Sequence, residues 1–193
     1  MGAGAPPLPR PSALHRAEAR AECLARFAHH ELQAVELFAW ALLRWPELPA
    51  DLRRGLAAVL ADEQRHAAAY LGRLYSLGFG FEDFAPHSDY LWKHLPRLEQ
   101  PASFFAGMGL TLEQANLDFT LLYRDGFRAA GDEASARICQ AVHDDEITHV
   151  GFAAWALARL DPEPDEVARY EAAVRFPLSA ARAKGRGSTA MPS

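Results

Sequence analysis

The chain has 193 residues, half of them apolar, and a formal charge of −5. That length fits one domain with a sizeable core, and the acidic balance gives no whole-chain case for nucleic-acid binding. Two cysteines far apart in sequence, Cys23 and Cys139, exclude a disulfide framework, and no apolar run reaches the roughly 18 residues of a membrane span.

Met1 to Pro11 contains Pro6, Pro7, Pro9 and Pro11 and lacks the apolar centre of a signal peptide. Residues 1–11 therefore read as a disordered lead, and the protein as cytoplasmic. Ser12 is the expected N-cap of a first helix, with Glu18 and Glu22 suited to its first turns. That helix runs to about Arg44 and stops before Pro46. Leu24, Phe27, Glu31, Ala34, Val35, Phe38 and Leu42 share one stripe at helical spacing, so Glu31 interrupts an apolar face. A carboxylate buried there calls for a cation or a strong partner.

Asp51 is expected to cap a second helix that continues to about Ser76 and forms an antiparallel hairpin with the first. Its stripe is Leu56, Val59, Leu60, Glu63, His66, Ala67, Tyr70 and Leu74. Leu77 to Gln100 is broken by Gly78, Gly80, Pro86 and Pro96 and loaded with Phe79, Phe81, Phe84, Tyr90 and Trp92. It suits a long crossover with a short helix over Ser88–Leu95. Its plain role is to cover one end of the core; the alternative is a lid over a site.

A third helix is predicted from about Pro101 to Ala130, with Ala106, Leu110, Glu113, Leu117, Thr120 and Leu121 on its buried side. Gly131 breaks the chain and Asp132 caps a fourth helix. That helix turns Ile138, Val142, His143, Glu146, His149, Val150, Ala153 and Leu157 inward and ends near Asp161–Pro162. A fifth is expected from about Pro164 to Arg175. Residues 176–193, with Arg182, Lys184 and Arg186, read as a flexible tail, which leaves 12–175 as the folded domain.

The two hairpins repeat one chemical pattern. Asp62-Glu63-Gln64-Arg65-His66 and Asp145-Glu146-Ile147-Thr148-His149 are both Asp-Glu-x-x-His, and a helix puts each Glu and His one turn apart on one face. Glu31 precedes Glu63 by 32 residues, and Glu113 precedes Glu146 by 33. Glu31, Glu63, His66, Glu113, Glu146 and His149 together supply four carboxylates and two imidazoles. Such a set suits Fe, Mn or Zn better than Cu(I), and four carboxylates balance two divalent ions.

Asp62 and Asp145 stand beside the motif glutamates, where each is expected to accept the second N–H of a metal-bound histidine. His143 lies one turn before Glu146, as a seventh ligand, a proton relay or a packed core residue. Glu36 and Asp118 follow Glu31 and Glu113 by five residues, about 140° round a helix, and so fall off the ligand face. Tyr70 follows His66 by one turn, either as core packing or as an electron carrier.

These residues resemble the ferritin-like di-iron carboxylate superfamily over about residues 20–160. The phrases His29-His30-Glu31-Leu32-Gln33-Ala34-Val35-Glu36-Leu37 and Asp145-Glu146-Ile147-Thr148-His149-Val150 are similar to an uncharacterised bacterial ferritin-like family related to the tRNA hydroxylase type. The resemblance implies an all-α, ferritin-like four-helix bundle: two helical hairpins joined by a long crossover, with a short C-terminal fifth helix. It implies two iron ions as cofactor, with Mn or Zn as alternatives. It also implies an oxidoreductase that uses O2 or peroxide on a small-molecule or RNA-borne substrate. The electrons come from a donor protein, since two cysteines cannot hold an iron–sulfur or rubredoxin-type centre. No membrane is involved, and a homodimer is compatible. The rival expectations are iron binding or storage without organic turnover, and a structural helical module with a vestigial or zinc site.

Overall fold

The computed structural model describes residues 7–84 and 87–174, and among them every regular element is helical. The α-helices are α1 (Ala17–Arg44), α2 (Ala50–Ser76), α3 (Pro101–Phe104), α4 (Gln114–Ala129), α5 (Glu133–Leu160) and α6 (Glu166–Ala173). A π-helix, Phe105–Glu113, separates α3 from α4. Short 3-10 turns cover Pro11–Ala13, Phe81–Phe84 and Trp92–Arg97. No helix among these residues is long and apolar enough to cross a membrane. The calls on residues 1–6 and 175–193 lie outside the described residues.

Two compact units divide the chain, one of residues 1–94 and 122–142, the other of 95–121 and 143–193. In the first, α1 and α2 form a hairpin whose turn is set by Pro46 and Pro49, prolines that neither helix interior tolerates. Trp45 closes α1 and meets Trp40 edge-on with ring centroids 5.2 Å apart, and Arg53 Nη1 donates to the Pro46 carbonyl at 2.6 Å. Leu14, Leu24, Ala28, Tyr70, Leu74, Tyr123, Phe127 and Val142 are buried together. Phe27 lies 5.4 Å from Tyr70 and 5.0 Å from Tyr123 by ring centroids.

The helix ends follow their punctuation. Gly78 and Gly131 take positive φ, +85° and +77°, immediately beyond α2 and α4, a conformation that costs glycine little. Asp132 caps α5: its Oδ1 accepts from Ser135 N at 3.0 Å and from Arg73 Nη2 at 2.8 Å. Two expected caps differ. Ser12 sits inside the 3-10 turn and α1 begins only at Ala17. Asp51 lies within the first turn of α2, behind Pro49, and its Oδ1 accepts from Leu52 N.

The loop after α2 is fastened to α1 by side chains. Gln33 Oε1 accepts from Leu91 N at 2.9 Å, its amide and His29 both reach the Ser88 carbonyl, and Trp92 Nε1 donates to Glu36 Oε2 at 2.6 Å. His29 stacks on His87, which stacks on Phe81, with centroids 4.6 and 4.2 Å apart. The helix expected over Ser88–Leu95 is instead the 3-10 turn at Trp92–Arg97, which contains Pro96.

In the second unit, the single third helix expected over 101–130 is interrupted by the nine-residue π-helix. Thr111 Oγ1 donates to the Ala106 carbonyl, five residues back, at 2.8 Å, and meets the Tyr170 hydroxyl of α6 at 2.7 Å. The wider ladder changes which residues face inward: Leu110 is only half-buried, while Gly107, Met108 and Gly109 are buried. Phe105 packs edge-on against Phe152 of α5 at 5.7 Å. Asp165 caps α6 by accepting from Val167 N and Ala168 N.

Candidate metal centre

Each Asp-Glu-x-x-His motif folds into the same local arrangement. On α2, Glu63 is 0 % and His66 3 % exposed, with His66 Nδ1 3.5 Å from Glu63 Oε2. On α5, Glu146 is 0 % and His149 2 % exposed, with His149 Nδ1 3.4 Å from Glu146 Oε2. The i, i+3 spacing makes both pairs, and the apolar stripes around them carry both inward. Glu31 is buried on α1, and Glu113, also buried, is the last residue of the π-helix.

These side chains fall into two groups. One ligand atom each from Glu31, Glu63, His66 and Glu146 lie within 4.8 Å of one another, and so do one each from Glu63, Glu113, Glu146 and His149. Every member is buried, and Glu63 and Glu146 belong to both groups. Carboxylates driven this close without solvent repel one another and lose hydration, a cost that cations offset. The donor set is hard and borderline, two imidazoles with four carboxylates, which fits divalent transition metals.

Glu146 shows how one of these carboxylates is held. Its Oε1 accepts a hydrogen bond from Asn116 Nδ2 at 2.8 Å. Its Oε2 is buried and accepts no hydrogen bond from the described residues. One oxygen is thus fixed by an amide, and the other is left to a different partner.

The other residues singled out in the sequence lie elsewhere. His143 belongs to neither group; it is half-buried, with Nδ1 3.2 Å from both the Leu117 carbonyl and Thr120 Oγ1. Asp62 is bonded to Arg65 of its own helix, and Asp145 is half-buried outside the groups. Glu36 and Asp118 are exposed. Tyr70 is buried, with its hydroxyl 4.0 Å from Cys139 Sγ. Sequence reasoning missed Asn116, although it follows Glu113 by three residues and so shares its face.

A family model described as "Protein of unknown function (DUF455)" matches residues 4–186. No curated protein and no solved structure matches the chain.

Proposed function

We propose that the chain, which belongs to the DUF455 family, is a ferritin-like oxidoreductase built on a two-metal carboxylate centre. The observation that carries this reading is the pair of buried four-residue groups joined by Glu63 and Glu146. Glu31, Glu63, His66 and Glu146 would hold one ion, and Glu63, Glu113, Glu146 and His149 the other. Iron or manganese bound there would supply the Lewis acidity and redox capacity needed to activate O2 or peroxide.

The chain's own residues set the conditions for that chemistry. Four carboxylates neutralise two divalent cations, so the loaded centre carries little net charge into an apolar interior. Ala34 and Phe38 on α1, and Val59 and Tyr70 on α2, are buried along the same stripes as the ligands and keep bulk water away. Asn116 orients Glu146 before any ion arrives. Electrons come from a separate donor protein.

The test is reconstitution of the apo-protein with Fe(II) without oxygen, followed by iron analysis, oxygen uptake and a size measurement. Two irons per chain with stoichiometric oxygen consumption by a small oligomer is the expected result. Less than one iron per chain, or iron without oxygen uptake, overturns the proposal. A large cage that accumulates many irons per chain would establish storage instead.

A further inference from the structure

Glu31 and Glu113 each belong to a single ligand group, one to each. They stand on different kinds of helix. Glu31 lies inside α1, which is α-helical without a break from Ala17 to Arg44. Its direction is fixed by the ordinary four-residue ladder. Glu113 is the last residue of the nine-residue π-helix. A π turn is the rarer winding, so the direction of Glu113 depends on what keeps that turn wide. Closing one five-residue bond to a four-residue bond, with every residue kept, would turn the chain beyond it by about 100° and carry Glu113 off its face.

The wide turn is held from within the second unit. Thr111 stands two residues before Glu113 and is buried. A threonine hydroxyl in an α-helix reaches back three or four residues. Thr111 Oγ1 instead donates to the Ala106 carbonyl, five residues back, at 2.8 Å, a bond that belongs to the wide ladder. The hydroxyl has one proton, and a carbonyl only accepts, so that proton is committed to Ala106. The Tyr170 hydroxyl, 2.7 Å from Thr111 Oγ1, is therefore the donor of their bond. The order is fixed: the phenol of α6 donates to Thr111, and Thr111 donates to the π ladder. Each bond in such a chain strengthens the next.

We propose that Tyr170 is a positioning residue for Glu113, acting through Thr111. The proposal rests on the two-metal reading above. With the phenol in place, the Thr111 hydroxyl is held on the Ala106 carbonyl and the turn that carries Glu113 stays wide before an ion arrives. Without it, the ion has to impose that turn itself. Only the group of Glu63, Glu113, Glu146 and His149 contains Glu113. The effect therefore falls on one metal position, and α6 is the element that tunes it.

The experiment is titration of apo-protein with Co(II), followed by calorimetry and visible absorption. The chains are the wild type, Tyr170→Phe, Thr111→Val, Thr111→Ser and the double variant Tyr170→Phe/Thr111→Val. The wild type should bind two Co(II) per chain. Tyr170→Phe, which removes only the hydroxyl, should weaken one binding step about 3- to 10-fold, the worth of one hydrogen bond, and leave the other unchanged. Thr111→Val should weaken the same step at least as much, and the double variant no further than Thr111→Val alone. Thr111→Ser keeps the hydroxyl and should bind as the wild type does. A merely structural bond would lower melting temperature and leave both steps alone. Two unchanged steps in Tyr170→Phe, two steps weakened alike, or losses that add in the double variant overturn the proposal and leave the two-metal reading standing. A wild type that binds fewer than two Co(II) overturns both.

Discussion

Gly109 and Ala153 approach so closely that a Cβ built on Gly109 would stand 2.2 Å from the Ala153 Cβ. No pair of carbons tolerates that distance, so here glycine is required by space and not by backbone conformation. Gly109→Ala should lower unfolding free energy by about 1–3 kcal/mol, the usual cost of overpacking. Denaturant titration measures this, and Ala153→Gly in the same chain should recover most of the loss. Additive losses in the double variant would show that the contact is not the cause.

Glu63→Ala and Glu146→Ala should each cut metal content sharply, because each removes a side chain common to both ligand groups. Glu36→Ala should leave the metal count unchanged, since its exposed carboxylate is bonded to Trp92. Elemental analysis after identical loading decides this; full two-metal occupancy in the first two variants would end the assignment.

His143→Ala should cost about 1 kcal/mol, the net worth of an ordinary hydrogen bond, because it releases the Leu117 carbonyl and the Thr120 hydroxyl. Both metals should stay bound, since His143 is in neither ligand group. A loss of one whole metal equivalent would make it a ligand.

The cysteines make stability sensitive to alkali. Burial pushes the Cys139 thiol up to about 12, an effect the Tyr70 hydroxyl partly offsets, and burial likewise raises Cys23 and Tyr123. A group whose value is higher folded than unfolded stabilises the fold below its unfolded value and loses that contribution as pH rises. Melting temperature should therefore fall between about pH 9 and 12, with a shallower fall in Cys139→Ala. At pH 8 neither thiol should react with an aromatic disulfide reagent until the protein is unfolded; rapid labelling of the folded protein would contradict this burial.

Local signals were legible and longer-range ones were not. Pro46, Pro49 and Gly131 mark helix ends because proline and glycine act on the backbone where they stand. Each Glu–His pair could be read from the sequence because one helical turn brings the two residues together whatever surrounds the helix. The π-helix left no such mark. Its wider ladder comes with the Thr111 bond to Ala106, the Tyr170 contact and the tight fit of Gly109 on Ala153, none visible to a periodicity of 3.6. Ser12 and Asp51 are not the N-caps their residue types suggest, because capping types are common and the nearby Pro11 and Pro49 shift where the helix starts. Asn116 carries no such mark, because an amide is not among the acids and imidazoles that make up a metal-ligand pattern, even where it holds one of them in place.

The π segment also bears on how this chain can change length. Removing one residue from an α-helix turns everything beyond the cut by about 100° against everything before it. Inside α1 such a deletion, between Ala17 and Glu31, would rotate the start of the helix away from its own core. Inside Phe105–Glu113, dropping a residue lets the ladder close from five-residue to four-residue bonds, and α4 keeps its phase with Glu113 at its head. Deleting Leu110 should therefore lower the melting temperature less than deleting Arg20 or Glu22. The wide turn works as a slip joint, the place along this helix where the loss of one residue can be absorbed without turning Glu113 out of register.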